Sequence, residues 1–526
     1  MNKIILVLVL FLGTNLHAQN DKLEKNFEKF RQYYSLLYNH YLDSVDFDKI
    51  VESAIIKSLE NLDPHSAYFP PKDASDENDR LRGNFEGIGI SYNVIRDTLN
   101  VLDVISGGPS EKIGLQIGDK LIKINDTIYA GKNYKNDDYV KRLKGKKGTI
   151  VKVSMLRNNK VIDFTITRDV IPIYSVDIAT MIDDKTGYIK LNKFAGTTEA
   201  EIKSALTDLV AKGMKTLILD LQYNGGGLLS ASVSLCEQFL DKDKLVVYTQ
   251  GLHYPKQSFN TTGSGLFMKG KLIVLVNENS ASASEITSGA IQDWDRGLII
   301  GRRTFGKGLV QRPFQLIDNS QLRLTTAEYF TPSGRFIQKP YNKGDLKEYR
   351  AELLHRFQTG QLTKQDTIKV PDSLMKLTSN KRKVYGGGGI MPDIYVPIDT
   401  TSSSEFYNQI FRRGILNTFT SDYASNNKLK LMDSMPNVDA FDKKFVVDKV
   451  ILNQLFDLAA KDSIKYDDSS YRRSENMFKT VVKANIARNL YGNAAFHKVI
   501  IGIDPIIQKA ILISRENFSK YKVRNE

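Results

Sequence analysis

"KLIVLVNENSASASEITSGAIQDW" spans residues 271–294. Leu272 to Val276 form an unbroken apolar run, as a strand buried on both faces requires. "SEITSGAIQDW", at the other end, has helix-like spacing. Between them Ser280, Ser282 and Ser284 stand at alternate positions among small residues. The same order of buried strand, turn and helix occurs upstream, where "TLILDLQ" (216–222) leads through Gly225-Gly226-Gly227 into "LLSASVSLCEQFL" (228–240). "TGYIKLNKF" (186–194) and "GLIIG" (297–301) read as further strands, and "TEAEIKSALTDLVAKG" (198–213) as another helix. From about Ile173 to Pro397 strands alternate with helices, which predicts an α/β layer with helices covering a sheet.

The serines have two readings. A helix start leaves backbone N–H groups unpaired, and serine oxygens cap them. Ser282 with Glu285 fits the Ser-x-x-Glu capping box. The alternative is a nucleophile, which needs a base. The six histidines (His17, His40, His65, His253, His355 and His497) include no H-E-x-x-H or similar spacing, so a metal site has little support. His65, in "DPHSAY", is the best placed for a Ser-His-Asp triad, but reads more simply as a structural residue in a tight turn. "RRTFGKGLVQ" (302–311) sets Lys307 between two glycines after a buried strand. A solvated turn lysine is the plain reading. The sharper one is a general base: burial would disfavour its charged form, the glycines would admit a close neighbouring segment, and Gln311 would hold the amine with its carbonyl oxygen.

At 526 residues the chain is too long for one ordinary core. Hydrophobic residues are 41% and charged residues 25%, as in a soluble globular protein. The net charge is +14, but the positives are scattered among 60 acids, so nucleic acid is not an expected partner. "MNKIILVLVLFLGTNLHAQN" opens with Lys3, an apolar run from Ile4 to Leu12 and a small-residue site ending at Ala18, the pattern of a signal peptide over 1–18. The run is too short to span a bilayer, and no later segment is apolar enough, so no transmembrane segment is expected. Cys236 is the only cysteine, which excludes a disulfide and a cysteine-held zinc. The expected location is periplasmic.

Residues 19–82 read as a helical region, with apolar spacing of three and four in "FEKFRQYYSLLYNHYL" and "DKIVESAIIKSLENL" before "DPHSAYFPP" breaks it. Short strands and Gly-rich turns occupy 83–171. Residues 172–400 form the α/β core, with a polar, mostly helical insertion at about 341–385. Residues 401–526 read as helical.

"NSASASEITSGAIQDWDRGLIIGRRTFGKGLVQ" (279–311) closely resembles the catalytic segment of the carboxyl-terminal processing proteases, also called tail-specific proteases. "DPHSAYFPP", "ILDLQYNGGGLL", "YFTPSGRFIQ" (329–338) and "GGGGIMPDIYV" (386–396) agree with it, over about residues 25–400. The resemblance implies a Ser-Lys dyad of Ser282 and Lys307, with Gln311 orienting the lysine. It also implies an oxyanion hole from the N–H groups of Gly227 and Ala283, the latter at a helix start whose dipole favours negative charge. Ser280 and Ser284 would then pack or cap. Gln222 stands where the family commonly has arginine, and Gly225 where it has proline or glycine.

"GIGI" (87–90), "GGPSEKIGLQIGDKLIKIN" (107–125) and "LKGKKGT" (143–149) resemble a PDZ domain. The N–H groups of Gly87, Ile88, Gly89 and Ile90 would form a nest for a terminal carboxylate, and the bound peptide would add as a strand. Arg142 is in the position of a family arginine expected to contact the protease body.

These readings imply an α+β multidomain protein: a crotonase-like α/β protease core, an inserted PDZ β-domain, and helical N- and C-terminal parts. Its function would be to cleave exported polypeptides recognised by their C-terminal ends, with no metal or organic cofactor. The C-terminal part would serve oligomerisation or docking of an adaptor protein. A non-catalytic PDZ scaffold with a protease-like core, and an acyl-transfer enzyme on the related fold, are the alternatives.

Overall fold

The computed structural model describes residues 2–364 and 371–524, with side chains from residue 21 onward. The leader at 1–18 lies outside the described side chains. The chain divides into two compact units, Met1–Leu62 and Asp63–Glu526. The first holds α1 (Asn2–His40) and α2 (Phe47–Glu60), and Asp46 caps α2 by accepting the Lys49 N–H at 3.2 Å. Among the described residues no helix is long and apolar enough to cross a membrane. Residues 63–82, read from sequence as part of the N-terminal helical region, belong to the second unit. The reason is pairing: β1 (Ala67–Phe69) runs antiparallel to residues 321–323 of the core. α3 (Pro71–Arg82) follows, with proline at its start and Gly83 at φ 80 at its end.

The strand-rich part comprises β2 (Asn84–Gly87), β3 (Ile90–Ile95), β4 (Thr98–Val104), α4 (Pro109–Lys112), β5 (Lys120–Ile124), β6 (Thr127–Ile128), α5 (Asn136–Leu143), β7 (Ile150–Arg157), β8 (Lys160–Thr167) and β9 (Asp169–Pro172). β2 and β9 pair where the chain enters and leaves; the rest form a sheet in the order β3-β4-β5-β7-β8, with β6 on β5. Alternation in β7 turns Val151, Val153 and Met155 inward against Leu99, Leu121 and Tyr139. β3 is an edge strand.

The core contains β10 (Val176–Met181), β11 (Thr186–Leu191), α6 (Thr198–Ala211), β12 (Thr216–Asp220), α7 (Leu229–Glu237), β13 (Leu245–Gly251), β14 (Tyr254–Asn260), β15 (Lys271–Val276), α8 (Ala283–Asp293), β16 (Leu298–Gly301), β17 (Leu309–Gln315), β18 (Gln321–Phe330), α9 (Leu346–Gln358), β19 (Met375–Leu377), β20 (Lys383–Tyr385) and β21 (Ile394–Tyr395). Its main sheet has the order β10-β11-β12-β15-β16-β21, parallel except for β10. The apolar runs are unbroken because alternate residues serve two cores. Leu217, Leu219, Leu272 and Val274 pack with α6, α7 and α8, while Ile218, Ile273 and Leu275 face the other side. A second, antiparallel sheet, β1-β18-β13-β14 with β17 on β18, was not foreseen from the strand–helix alternation.

The insertion at about 341–385, expected to be mostly helical, holds among its described residues α9, a 3-10 turn at Asp372–Leu374 and the hairpin β19–β20. The hairpin turn is "TSNKR" (378–382), with Lys381 at φ 62.

The C-terminal part is α10 (Glu405–Arg412), α11 (Ile415–Ser434), α12 (Val438–Lys444), α13 (Lys449–Lys461), α14 (Asp468–Tyr491), α15 (Asn493–Ile500) and α16 (Pro505–Ser514). The first six share one apolar core. α16 instead lays Ile506, Ile507 and Ile513 on the main sheet's second face. The bundle also holds the β3–β8 domain: Asp422 pairs with Arg96 at 2.9 Å, and Lys428 Nζ donates to the Ile117 carbonyl at 2.6 Å.

Ile506 is 1% exposed, so Ile506→Ala should destabilise the core by about 2–5 kcal/mol. A lowered melting temperature of the purified chain checks this; an unmoved one would mean that α16 adds nothing to the core.

Candidate active site

Two turns meet at the C-terminal ends of β12 and β15. Ser280 Oγ accepts the Asn277 N–H at 2.9 Å and donates to the Leu221 carbonyl at 2.8 Å. Ser284 Oγ donates to the Asn224 carbonyl at 2.8 Å. Both serines are fully buried, and their hydroxyls stitch one turn to the other. Ser282 differs. It is half-buried at the head of α8, with φ 56 and ψ −114. Such a backbone costs about 1–3 kcal/mol and persists only where its surroundings enforce it. Gly226 is part of that enforcement: at φ 100, a Cβ there would stand 2.8 Å from Ser282 Cβ and 3.0 Å from Ala283 N.

The next residue, Gly227, sits at φ 146, and a Cβ on it would meet the Phe194 carbonyl oxygen at 2.0 Å. Phe194 accepts the Leu228 N–H at 2.8 Å and donates to the Gly226 carbonyl at 3.0 Å. In such a bridge the intervening Gly227 N–H turns to the opposite side. Neither it nor the Ala283 N–H has an acceptor among the described residues.

Lys307 lies in the loop between β16 and β17. The expected close approach at its flanking glycines is present: a Cβ on Gly306 would lie 3.0 Å from Lys339 Cβ, and one on Gly308 2.8 Å from Gln338 N. Glu285, one turn into α8, ties this loop to Ser282. Its buried carboxylate accepts the N–H of Ser282 at 2.8 Å, of Gly306 at 2.7 Å and of Lys307 at 2.9 Å, and the Thr304 hydroxyl at 2.5 Å. Burial raises its pKa above the usual carboxylate value, and these hydrogen bonds oppose the rise. The Tyr329 hydroxyl adds a second tie, lying 3.2 Å from the Ser282 carbonyl and 2.5 Å from that of Lys307. Arg356, from α9, donates to the carbonyls of Thr304 at 2.8 Å and Phe305 at 3.1 Å.

Ser282, Ala283, Lys307, Gln311 and Gly227 line one cleft of about 1080 Å³. Among the described residues no hydrogen bond or ion pair holds the Lys307 amine. Burial lowers its pKa; the Glu285 carboxylate opposes this and the Arg323 guanidinium adds to it. Gln311 Nε2 donates to the Leu309 carbonyl and to Thr325 Oγ1, each at 3.2 Å. His65 also lines the cleft, with its Nε2 2.9 Å from the Tyr349 hydroxyl. Burial and the nearby Lys307 push His65 down to about 3, so the imidazole is neutral. Gln222 turns away from Ser282 and reaches Asp220 and Asp504, each at 3.4 Å.

Gly87, Ile88, Gly89 and Ile90 lie outside this cleft's lining, from the end of β2 to the start of edge strand β3. The N–H groups of Ile88 and Gly89 have no acceptor among the described residues, and Gly89 takes φ 78. α5 flanks β3, with the Tyr92 hydroxyl donating to Asn136 at 2.9 Å. The expected contact of Arg142 is absent. Its exposed side chain has no partner among the described residues, while its neighbour Lys144 reaches Asp76 on α3 at 2.7 Å and Asp137 reaches Lys72 at 3.0 Å. The cause is position: Leu143 turns into the core, and the residue after it faces α3.

A carboxy-terminal-processing protease of Bartonella bacilliformis is 34% identical over 320 residues, which cover 60% of this chain and 73% of that protein. The carboxy-terminal processing protease CtpA of Bacillus subtilis is 32% identical over 370 residues, 69% of this chain and 78% of that protein. This chain is a carboxy-terminal processing protease. The model of peptidase family S41 matches residues 185–347, that of the PDZ domain residues 87–167, and that of a family of unknown function (DUF8443) residues 406–492. Among solved structures, the photosystem II D1 C-terminal processing protease is 29% identical, with a TM-score of 0.34, covering 58% of this chain and 82% of that one.

For this serine-type processing protease, sequence reasoning missed Tyr329, Thr325 and Asp63, and saw Glu285 only as a cap. A carboxylate in the first turn of a helix whose next six residues are all small or apolar was the available signal. Glu285→Gln places an amide N–H against donors that need an acceptor, at about 1–3 kcal/mol for each group left unsatisfied. The expected outcome is a folded chain with a lower melting temperature and peptide cleavage slowed tenfold or more, by about the rate equivalent of 1.4 kcal/mol. Wild-type cleavage by this variant would show that the carboxylate does not hold the site.

Proposed function

We propose that this protease cleaves exported polypeptides through a Ser282–Lys307 dyad, with the PDZ domain holding their free C-terminal ends. The supporting observation is the Glu285 carboxylate, which hydrogen-bonds the backbones of both Ser282 and Lys307 while their side chains line one cleft. The neutral Lys307 amine takes the Ser282 hydroxyl proton as the oxygen attacks the peptide carbonyl. The oxyanion accepts the N–H groups of Gly227 and Ala283, each worth roughly 3 kcal/mol of barrier. The Lys307 ammonium then protonates the leaving amine as the C–N bond breaks. Water, deprotonated by the same amine, then attacks the acyl carbonyl, and as the ester C–O bond breaks the Lys307 ammonium returns that proton to Ser282. Gln311 orients Lys307, and no step calls on a metal or organic cofactor. The leader at 1–18 would direct the chain to the periplasm.

The unengaged amides of Ile88 and Gly89 and the open edge of β3 support carboxylate capture with strand addition. A substrate held there would enter a cleft also lined by Phe85, Val140 and Lys144 of the same domain.

Ser282→Ala should abolish peptide cleavage with the fold intact; turnover by a folded Ser282→Ala chain would falsify the nucleophile. Lys307→Arg should be inactive as well, because a guanidinium stays charged near neutral pH. Since the neutral amine is the active form and burial lowers its pKa, kcat should rise with pH along a limb below the ordinary lysine value of 10.5. A limb at or above that value would remove Lys307 as the base.

Peptide capture is tested separately by comparing one peptide as the free acid and as the amide. Losing a charged hydrogen bond costs roughly 1.5–3 kcal/mol, so binding should weaken about tenfold or more. Equal affinities would rule out the carboxylate nest and leave the dyad untouched.

A further inference from the structure

The "DPHS" turn (63–66) has no part in the chemistry above, yet it reaches the site through a directed chain of hydrogen bonds. Asp63 Oδ1 accepts the N–H of His65 at 2.8 Å and of Ser66 at 2.9 Å, and the Thr325 hydroxyl at 2.9 Å. Oδ2 accepts the Ser66 hydroxyl at 2.5 Å, and Ser66 Oγ in turn accepts the Thr325 N–H at 3.1 Å. The turn is thereby fixed to β18. Across β18 stands β17, and the register shift between Val310 and Gln311 places Gln311 directly opposite Thr325. A bulge of this kind re-aims side chains beside an active site.

The polarity of the chain follows from its fixed end. A carboxylate has no proton to give, so the single hydroxyl proton of Thr325 points at Asp63. Thr325 Oγ1 is left only as an acceptor towards Gln311. The Leu309 carbonyl, on the same side of the amide, is also only an acceptor. Both therefore demand the NH2 end of Gln311, which lies 3.2 Å from each. Neither amide end is distinguishable by shape, so these two acceptors select the orientation.

We infer that Asp63 and Thr325 are positioning residues that fix the Gln311 amide with its Oε1 turned towards the Lys307 amine. An acceptor there takes one amine hydrogen and leaves the nitrogen lone pair directed at Ser282. The reversed amide would donate to that lone pair and occupy it. The inference rests on the reading of Lys307 as base and Gln311 as its partner.

The experiment uses the full chain and a fluorogenic peptide with a free C-terminus that the wild-type protein cleaves. Gln311→Ala, Thr325→Val and the double variant are compared for kcat and KM. Thr325→Val should lower kcat on the order of 10- to 100-fold, as expected for a misplaced catalytic group, with KM within about twofold. Thr325→Ser, which keeps the hydroxyl, should restore kcat. The double variant should be no slower than Gln311→Ala alone, because both changes remove the same effect. A merely structural role for Thr325 would instead multiply the two losses, and that result overturns the inference. Wild-type kcat in Thr325→Val, beside a slowed Gln311→Ala, also overturns it while sparing the role of Gln311. Full activity of Gln311→Ala overturns both. Thr325→Ala serves the same comparison if valine disturbs packing, and melting temperatures establish that each variant is folded.

Discussion

One buried carboxylate decides whether this active site exists. Glu285 has no exposure to solvent, and removing a charge from water is costly unless hydrogen bonds replace the lost hydration. Here the replacement is four donors, three of them backbone amides from two separate loops. Each charge-assisted bond contributes roughly 1.5–3 kcal/mol, but only when all the donors converge. A half-formed arrangement leaves either the carboxylate or an amide unsatisfied. The head of α8 and the Lys307 loop therefore form together, and the strained backbone of Ser282 is held by the same act.

The remaining features of the site follow from where that carboxylate places the two loops. Ser282 is pressed against a turn whose glycines are required by contact distances, and this leaves two amides facing the cleft unengaged. Lys307 is half-buried beside Arg323 and His65. Burial and Arg323 disfavour an ammonium there, while the Glu285 carboxylate that anchors its backbone favours one, as do the carboxylates of Asp63 and Glu77. The anchoring charge thus works against the lowered pKa that a base needs. Burial remains the largest influence on the amine, and the protein keeps Glu285 hydrogen-bonded to backbone rather than paired with the amine itself.

What could be read from sequence was what is local. The buried strands and the helices that follow them were legible because burial on both faces removes polar residues from the strand. The resemblance of one continuous segment pointed to Ser282, Lys307 and Gln311, and the fold brings these three to one cleft. Contacts made across the fold were not. Asp63 meets Thr325 across 262 positions, and nothing in "DPHS" distinguishes a turn from a turn that braces a catalytic loop. The second sheet escaped for a related reason: its strands are scattered among helices and mix exposed with buried residues, so no single window shows them. The insertion was misread because a polar composition suits an exposed hairpin as well as an exposed helix. Arg142 makes no such contact because it stands on the exposed side of α5, and Lys144, two residues on, reaches α3 instead.

The parts of the second unit are fastened unequally, and this bears on how the PDZ domain relates to the cleft. The core and the C-terminal helices join through the apolar face of α16, buried against the main sheet. The PDZ domain is fastened mostly by polar contacts. Arg96–Asp422 links it to the bundle, and Lys72–Asp137 and Lys144–Asp76 link it to α3; all six side chains are at least 33% exposed. Exposed pairs of this kind contribute little to holding two bodies together. Beyond them stand the Lys428–Ile117 and Asn493–Asp103 hydrogen bonds and the short β2–β9 pair. Displacing α16 therefore exposes apolar surface, whereas displacing the PDZ domain breaks mostly polar contacts. Because Phe85, Asn136 and Lys144 line the cleft, such a displacement reshapes the cleft directly. A peptide can bias that position only as far as it binds one arrangement better than the other. The proposed strand addition at β3 would meet this condition wherever the peptide touches both the PDZ domain and the cleft wall.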